Sequence, residues 1–359
     1  MDMMQTRPRI LLVDATSAFG GGEVYYIKLA RLLSEKYELA AVAFNPRLQA
    51  EFEDMGMPVW AGTMPDGCTI WRKYLTVARC TLKAIRQFHP ALVHLNGGLE
   101  GYLAFIPRLF GIPVLLTNHI VRTNAPAAFL KRLALWISAE LAQKVICVSE
   151  TVQNNLRQHA WTTNTIVIYN WLDLVPDRTN RRRYDGTSEF RLLFVGRIEA
   201  AKGIMDLIKA IELLQNVRLD IVGEGPDMAR ARNGCVGMPV HFHGFQENVT
   251  TYYMDADMLV FPSYSEGQPL VLIEAMSCGL PCLASDIAAA IETTNHGRFA
   301  ELFRCGDPSD MADKIRGLQN NRQRLVDLSE RGRSYALETY SEEHIRPMYF
   351  DLIRSIIGP

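Results

Sequence analysis

The chain has 359 residues, of which 48% are apolar and 21% charged, and a net charge of −1. That length exceeds one ordinary core and predicts two domains of about 150–200 residues, while the composition excludes a disordered or fibrous chain. Residues 1–170 carry 17 Lys/Arg against 12 Asp/Glu and residues 171–359 carry 21 against 27, an asymmetry that suits a first lobe facing an anionic partner and equally suits chance.

The polar start, Met1 to Arg9, leads into a short apolar run, so no signal peptide is expected. No window approaches about 18 apolar residues, so no membrane span is expected. The seven cysteines (68, 80, 147, 235, 278, 282 and 305) lack a second Cys or His pair at zinc spacing. Reduced thiols and a cytoplasmic location are the simplest expectation.

The first predicted strand, residues 10–15, leads through Ser17 into the loop Gly20-Gly21-Gly22-Glu23 and a helix to residue 34. Three glycines let a backbone approach a ligand closely, or simply make a tight turn. They are not a dinucleotide fingerprint, because the third glycine belongs at residue 25, which is tyrosine. A strand at 39–44 follows, then a helix at 71–88 with Arg72, Lys73, Arg79, Lys83 and Arg86 and no acid. At about 100° per residue, Arg72, Arg79, Lys83 and Arg86 share an arc of roughly 60°. They lie beside an apolar stripe of Trp71, Leu75, Ala78, Leu82 and Ile85. Such a helix suits an anionic bilayer or lipid-phosphate acceptor, each basic residue being worth about 1 kcal/mol there. A half-buried helix of its own domain is the other reading. Arg122, Lys131 and Arg132 add charge further on.

Strands are predicted at 92–96 and 114–117, the second running into Asn118-His119. A histidine past the carboxyl end of a strand can serve a ligand crevice or bond nearby backbone. A helix at 127–140 and strands at 145–148 and 166–168 complete a first domain, residues 1–172. The polar stretch 170–190, with Pro176 and Arg181-Arg182-Arg183, reads as the interdomain linker, bounded at 173–190.

The second domain, 191–340, is predicted to carry strands at 192–195, 219–222, 240–243, 258–261 and 281–284 and helices at 205–214 and 270–278. Helices at 322–340 and 341–357 follow, the last expected to pack back on the first domain. Unbroken apolar strands, each followed by a helix, mean parallel sheets covered on both faces.

Between the first strand and helix of that domain stand Arg197 and Lys202, two cations able to neutralise a diphosphate without a metal. Gly223-Glu224-Gly225 fails the dinucleotide spacing at Met228. The segment Glu266-Gly267-Gln268-Pro269-Leu270-Val271-Leu272-Ile273-Glu274 follows the strand at 258–261. Pro269 suits a first helical turn, and the N–H groups of Gly267, Gln268, Leu270 and Val271 are expected to form an anion site there. Glu274 could then accept ribose hydroxyls and Glu266 sugar hydroxyls, or both could be solvated acids. Asp255-Ala256-Asp257 matches a metal-binding pattern but precedes its strand, at the wrong end for a crevice. Walker A, Gly-x-Ser-x-Gly and His-Glu-x-x-His sequences are missing.

In this order the motifs resemble those of the retaining glycosyltransferases of family 4. The likeness runs from Gly20-Gly21-Gly22-Glu23 through Val93-His94, His119, Val148-Ser149-Glu150, Gly196-Arg197, Lys202-Gly203, Gly223-Glu224-Gly225-Pro226 and Gly244 to Glu266, Glu274 and Ser285-Asp286. It implies an α/β chain of GT-B fold, with two Rossmann-like domains whose parallel sheets face a central cleft. It also implies catalytic roles for His119, Arg197, Lys202 and Glu266. Donor contacts would come from Gly21, Gly22, Gly196, Arg197, Lys202, Gly223, Phe245, Glu266, Gly267, Gln268, Pro269, Leu270, Val271 and Glu274. Acceptor contacts would come from Glu23, Asn118 and His119.

The implied reaction is retaining transfer from a nucleotide sugar to a hydroxyl, without cofactor or metal, in polysaccharide, lipopolysaccharide or glycolipid assembly. The implied partners are a nucleotide-sugar donor and a saccharide or lipid-linked acceptor, with no nucleic acid. The expected location is cytoplasmic, and the basic arc of Arg72, Arg79, Lys83 and Arg86, apart from the resemblance, leaves peripheral attachment to the inner membrane face as one of its two readings. A GT-B nucleotide-sugar epimerase and a non-catalytic sugar-nucleotide scaffold are the alternatives. Ala288-Ala289-Ala290, Tyr169-Asn170-Trp171 and Gln268-Pro269 depart from the family pattern, so the donor sugar is not inherited from it.

Overall fold

The computed structural model describes residues 7–17, 20–62, 69–97, 103–122, 129–172 and 189–358. The run Arg181-Arg182-Arg183, most of the linker, Ala18-Phe19 and the side chains of Trp71 and Lys131 lie outside the described residues. The chain divides into two compact units, one of Met1–Asn170 with Ile345–Pro359 and one of Trp171–His344.

In the first unit the order is β1 (Arg9–Asp14), α1 (Gly21–Ser34), β2 (Glu38–Ala43), α2 (Pro46–Asp54), β3 (Val59–Ala61), α3 (Ile70–Phe88), β4 (Leu92–Asn96), α4 (Phe105–Leu109), β5 (Val114–Asn118), α5 (Phe129–Leu141), β6 (Lys144–Cys147), α6 (Glu150–Ala160) and β7 (Thr165–Val167). The strands pair in parallel in the order β3-β2-β1-β4-β5-β6-β7. The order reverses between β1 and β4, so the loops after those two strands flank the place where open α/β sheets take ligands.

Strands β1, β4 and β5 are buried on both faces almost throughout, which is why their sequences read as continuous apolar runs. Helices α3 to α6 share one hydrophobic cluster over one face, with Val77, Ile85, Ile106, Ala139 and Leu156 against Val13, Val93, Leu116 and Val145. Local signals set the helix starts. Asn45 Oδ1 accepts from the N–H groups of Arg47 and Leu48 ahead of Pro46, and Ser149 accepts from Val152 N–H.

The second unit runs β8 (Phe190–Val195), a short 3₁₀ turn (Ala200–Lys202), α7 (Ile204–Glu212), β9 (Val217–Val222), α8 (Met228–Asn233), β10 (Val240–Gly244), α9 (Thr250–Asp255), β11 (Met258–Phe261), α10 (Leu270–Ser277), β12 (Cys282–Ser285), α11 (Ala288–Thr293), β13 (Glu301–Phe303), α12 (Pro308–Gln319) and α13 (Arg322–Tyr340). Its sheet is also parallel, ordered β10-β9-β8-β11-β12-β13, with the reversal between β8 and β11. The last helix, α14 (Glu342–Ile357), supplies Tyr349 to the first unit, where its hydroxyl lies 2.8 Å from that of Tyr25.

Two features of the predicted helices are corrected. On α3 the buried face is Val77, Thr81, Ala84, Ile85 and Phe88, and Leu75, read as part of an apolar stripe, is 57% exposed among the basic residues. Pro269 stands before α10 as its N-cap, so the helix proper starts at Leu270. The short edge strands β3 and β13 and the shorter helices, α4 among them, are additions that the apolar patterning did not reveal.

Candidate active site

In the second unit the polar groups gather after β8, β9, β10 and β11. Gly196 and Gly223 bring the first two loops into contact, since a Cβ on Gly223 would stand 1.9 Å from the Gly196 carbonyl oxygen. Gly223 also has φ +137°, so glycine answers a steric demand there. These loops and the one after β10 line a cavity of about 710 Å³ bounded by Gly196, Arg197, Gly223, Glu224, Gly225, Pro226, Phe245, Gln246 and Val249. Arg197 is largely exposed at its edge, with Glu199 Oε2 3.4 Å from its Nε. Phe245 offers a solvent-facing ring.

Lys202 ends the 3₁₀ turn, and Gly203 after it has φ +68° with Pro262 O where a Cβ would sit. The turn thereby packs against the end of β11, and Lys202 Nζ meets Glu266 Oε1 at 2.5 Å. Two residues read from the sequence as separate functions form one ion pair. Glu274, in the second turn of α10, accepts from Tyr253 Oη at 2.8 Å. Burial and the Glu274 carboxylate push the Tyr253 phenol well above its ordinary range, so it remains a donor at any working pH. Tyr253 was missed in the sequence, where nothing in α9 marks it as polar support.

The expected anion site at α10 is narrower than the sequence suggested. Leu270 N–H bonds Gln268 O at 3.0 Å, and Leu272 and Ile273 both bond Pro269 O. Leu270 therefore offers no free donor. Asp257 is also accounted for: it accepts Arg191 N–H at 2.9 Å at the amino end of β8, away from the loops above.

In the first unit the groups after β1, β4 and β5 form one hydrogen-bonded set. Asp14 is fully buried, and burial is the main cause that raises its carboxyl above the usual range. Its Oδ1 accepts from Thr16 N–H at 2.9 Å and lies 2.6 Å from Thr16 Oγ1. Asn96 Nδ2 donates to Asp14 Oδ2 at 2.6 Å and to Gly22 O at 3.3 Å, and Asn96 Oδ1 is 2.9 Å from His119 Nε2. The His119 ring stands edge-on to Tyr25 at 4.7 Å, and burial pulls its imidazole down to about 4. His94, deeper still, lies between Tyr26 Oη (3.1 Å) and Thr117 Oγ1 (2.9 Å) and is lowered to about 3, again by burial first.

The acceptor residues expected from the resemblance take different places. Glu23 is buried: its Oε2 accepts Gly20 N–H at 2.7 Å and its Oε1 meets Thr16 Oγ1 at 2.5 Å. It props the glycine loop instead of facing outward. Asn118 is also buried, and its Nδ2 has no hydrogen-bond partner among the described residues. Gly21 and Gly22 form the first turn of α1. Asp14, Thr16 and Asn96 are the polar members the sequence did not disclose.

Residues 19–175 match the family described as Glycosyltransferase Family 4, and residues 189–321 match Glycosyl transferases group 1. N-acetyl-alpha-D-glucosaminyl L-malate synthase of Bacillus anthracis is 26% identical over 233 residues, 60% of this chain and 61% of that protein. The chain thus spans about six-tenths of that relative's length. The lipopolysaccharide core biosynthesis glycosyltransferase LpsD of Rhizobium meliloti (strain 1021) is 27% identical over 351 residues, 93% of this chain and 94% of that protein. Among solved structures, Anabaena HepE in complex with UDP has a TM-score of 0.81 at 19% identity, covering 97% of this chain and 100% of that one, a likeness of fold alone. Two parallel Rossmann-like sheets, each with its polar cluster at the switch point, and two consecutive family matches place the chain in glycosyltransferase family 4, with the GT-B fold.

Proposed function

We propose that this protein moves a sugar from a nucleotide-sugar donor to a hydroxyl acceptor, with retention of configuration and without a metal ion. The carrying observation is the cavity at the ends of β8, β9 and β10, with Arg197 on its edge, backed by the Lys202–Glu266 pair. Phe245 suits a planar base, Arg197 and Lys202 suit a diphosphate, and Glu274, oriented by Tyr253, suits ribose hydroxyls. The complex of HepE with UDP-glucose supports this assignment by likeness of fold. The acceptor is assigned to the first unit, and lipopolysaccharide or related glycan assembly follows the function named for LpsD.

In the step itself, the bond from the anomeric carbon to the diphosphate oxygen breaks and the acceptor oxygen bonds the same face of that carbon. The acceptor's proton passes to the departing phosphate oxygen. Arg197 and Lys202 hold the charge that develops there; one such preorganised donor is worth about 10²–10³ in rate. Glu266, engaged by Lys202 at 2.5 Å, is a poor nucleophile, which favours front-face attack over a covalent glycosyl-enzyme.

A thermal-shift screen of UDP, other nucleoside diphosphates and their sugars tests the donor assignment, because a ligand of the native state raises its melting temperature. No shift with any of them, at concentrations up to millimolar, counts against it. Product analysis then separates transfer from epimerisation. An α product from an α donor, formed equally well in EDTA, supports retention and metal independence, and a β product or restoration by magnesium refutes one or the other.

The first unit also supports contact with an anionic lipid surface. Arg72, Arg79, Lys83 and Arg86 are all exposed on α3, and Leu75 beside them is 57% exposed. Helix α4 packs beside α3, and α5 beside α4. They add Leu109, 77% exposed, and Phe129, 66% exposed, on the same helical layer. Among the described residues no helix is long and apolar enough to cross a membrane. Sedimentation with anionic and neutral liposomes tests this: equal binding to both, or binding insensitive to salt, leaves a soluble acceptor as the better account.

A further inference from the structure

Asn96, at the carboxyl end of β4, stands between Asp14 and Gly22 on one side and the ring of His119 on the other. Its Nδ2 lies 2.6 Å from Asp14 Oδ2 and 3.3 Å from the carbonyl oxygen of Gly22. A backbone carbonyl only accepts, so that side of the amide must be the NH₂ group. Turned over, Asn96 would set its oxygen against the Gly22 oxygen and leave a buried acceptor pair unsatisfied. The other side is then Oδ1, an acceptor, 2.9 Å from His119 Nε2.

We propose that Asn96 is a positioning residue that holds His119 as the neutral Nε2–H tautomer, leaving Nδ1 as the acceptor for a hydroxyl of the sugar substrate. Second-layer bonds of this kind fix a histidine's tautomer and aim at once. The layer here is continuous. Thr16 N–H holds Asp14, Asp14 holds the Asn96 amide, and the amide holds the ring, while the Tyr25 ring fixes the imidazole plane from the side at 4.7 Å. Nδ1 has no hydrogen-bond partner among the described residues. The ionisable groups around the ring are His94, Asp14 beyond Asn96, and Tyr25, and burial is what keeps the imidazole neutral. A neutral ring with a bare Nδ1 can accept from a hydroxyl; an imidazolium cannot. Asn96→Asp would replace the amide with a carboxylate and reward the imidazolium.

The assignment of Nδ1 to a sugar hydroxyl rests on the transferase reading; the tautomer does not, and can be read without turnover. In the full chain labelled with ¹⁵N-histidine, long-range ¹H–¹⁵N correlation spectra, with His119→Gln to identify the signals, should show Nε2 protonated and Nδ1 bare at pH 7. Asn96→Asp should move the His119 titration up by about one pH unit or more, and Asn96→Ala should leave a mixture of tautomers. An Nδ1–H tautomer or an imidazolium in the wild type at pH 7 overturns the proposal, and so does an Asn96→Asp variant that titrates like the wild type. The wild-type spectrum decides even if a variant fails to fold. For the hydroxyl contact, Asn96→Ala should lower kcat/KM for the sugar acceptor about tenfold, one lost neutral hydrogen bond, with the Kd for UDP within twofold. An unchanged kcat/KM refutes that contact. Failure of the wild type to bind UDP or turn over any nucleotide sugar would count against the transferase reading alone.

Discussion

The Lys202–Glu266 pair allows a test in which the signs of two effects differ. The side chains are 26% and 15% exposed, between the regimes for which magnitudes are known. Exposed pairs couple by about 0.2–1 kcal/mol, and breaking a buried one costs about 3–5 kcal/mol. A coupling of about 1–2 kcal/mol is expected for this pair, read by urea denaturation of Lys202→Ala, Glu266→Ala and the double variant. Additivity within about 0.3–0.5 kcal/mol would mean no interaction. In function the variants should diverge. Lys202→Ala should weaken UDP and slow turnover by about 10²–10³. Glu266→Ala should also slow turnover, yet leave UDP binding intact or tighter, because the lysine no longer has to leave a carboxylate to reach phosphate. If Glu266→Ala weakens UDP as much as Lys202→Ala does, the lysine serves the pair and not the diphosphate.

Tyr253→Phe removes the 2.8 Å bond to Glu274 with no change of shape and should cost about 1.5–3 kcal/mol in stability or in nucleotide affinity. An unaltered UDP affinity and unfolding midpoint would sink the role given to Tyr253. Gly223→Ala should fail to fold or lose about 3 kcal/mol or more, because its Cβ would meet backbone at 1.9 Å; Gly21→Ala, with nothing within 4 Å, should keep its melting temperature. Acid should destabilise the first unit. His94, held at about 3 against an ordinary 6.5, stays neutral in the fold while the unfolded chain takes a proton. Its stabilisation is present above pH 6.5 and falls by about 2 kcal/mol between pH 7 and pH 5. His119, partly exposed, adds a smaller share of the same sign, and Asp14, raised by burial, offsets some of it. Urea midpoints that stay flat from pH 7 to pH 5 in the wild type would contradict this account.

The sheets were legible because buried parallel strands must be apolar on both faces. The runs around Leu11, Val93, Leu116, Val145, Leu193, Ile221 and Val260 declare themselves for that reason. Strands β3 and β13 did not, since each is a three-residue edge, partly exposed and paired on one side only. Leu75 illustrates a limit of periodicity. A leucine at helical spacing reads as part of the apolar stripe, but the residues buried on this helix include Val77, Thr81 and Ala84 instead, and the sequence does not show where the stripe is centred.

The candidate site divides along another line. Arg197, Lys202, Glu266 and Glu274 could be picked out because they follow predicted strands at the carboxyl ends, where parallel sheets take their ligands. What those residues bond to was not available in the same way. Lys202 and Glu266 are 64 residues apart and meet because β8 and β11 are neighbours at the point where the strand order reverses, while Tyr253 and Glu274, 21 apart, stand on the helices before and after β11. The same holds for Asp14, Asn96 and His119, on β1, on β4 and just past the end of β5, three successive strands of the other sheet. None looks special alone: an aspartate ending a strand reads as a turn residue, and an asparagine there reads as a cap. Their chemistry arises from adjacency, since a buried carboxylate needs a donor, the amide that supplies it has one oxygen left, and that oxygen selects the tautomer of the histidine beyond. A switch point in a parallel sheet therefore does more than open a crevice for a ligand. It aligns the ends of strands from distant parts of the chain, so that groups which would be unremarkable in a loop become a fixed sequence of donors and acceptors.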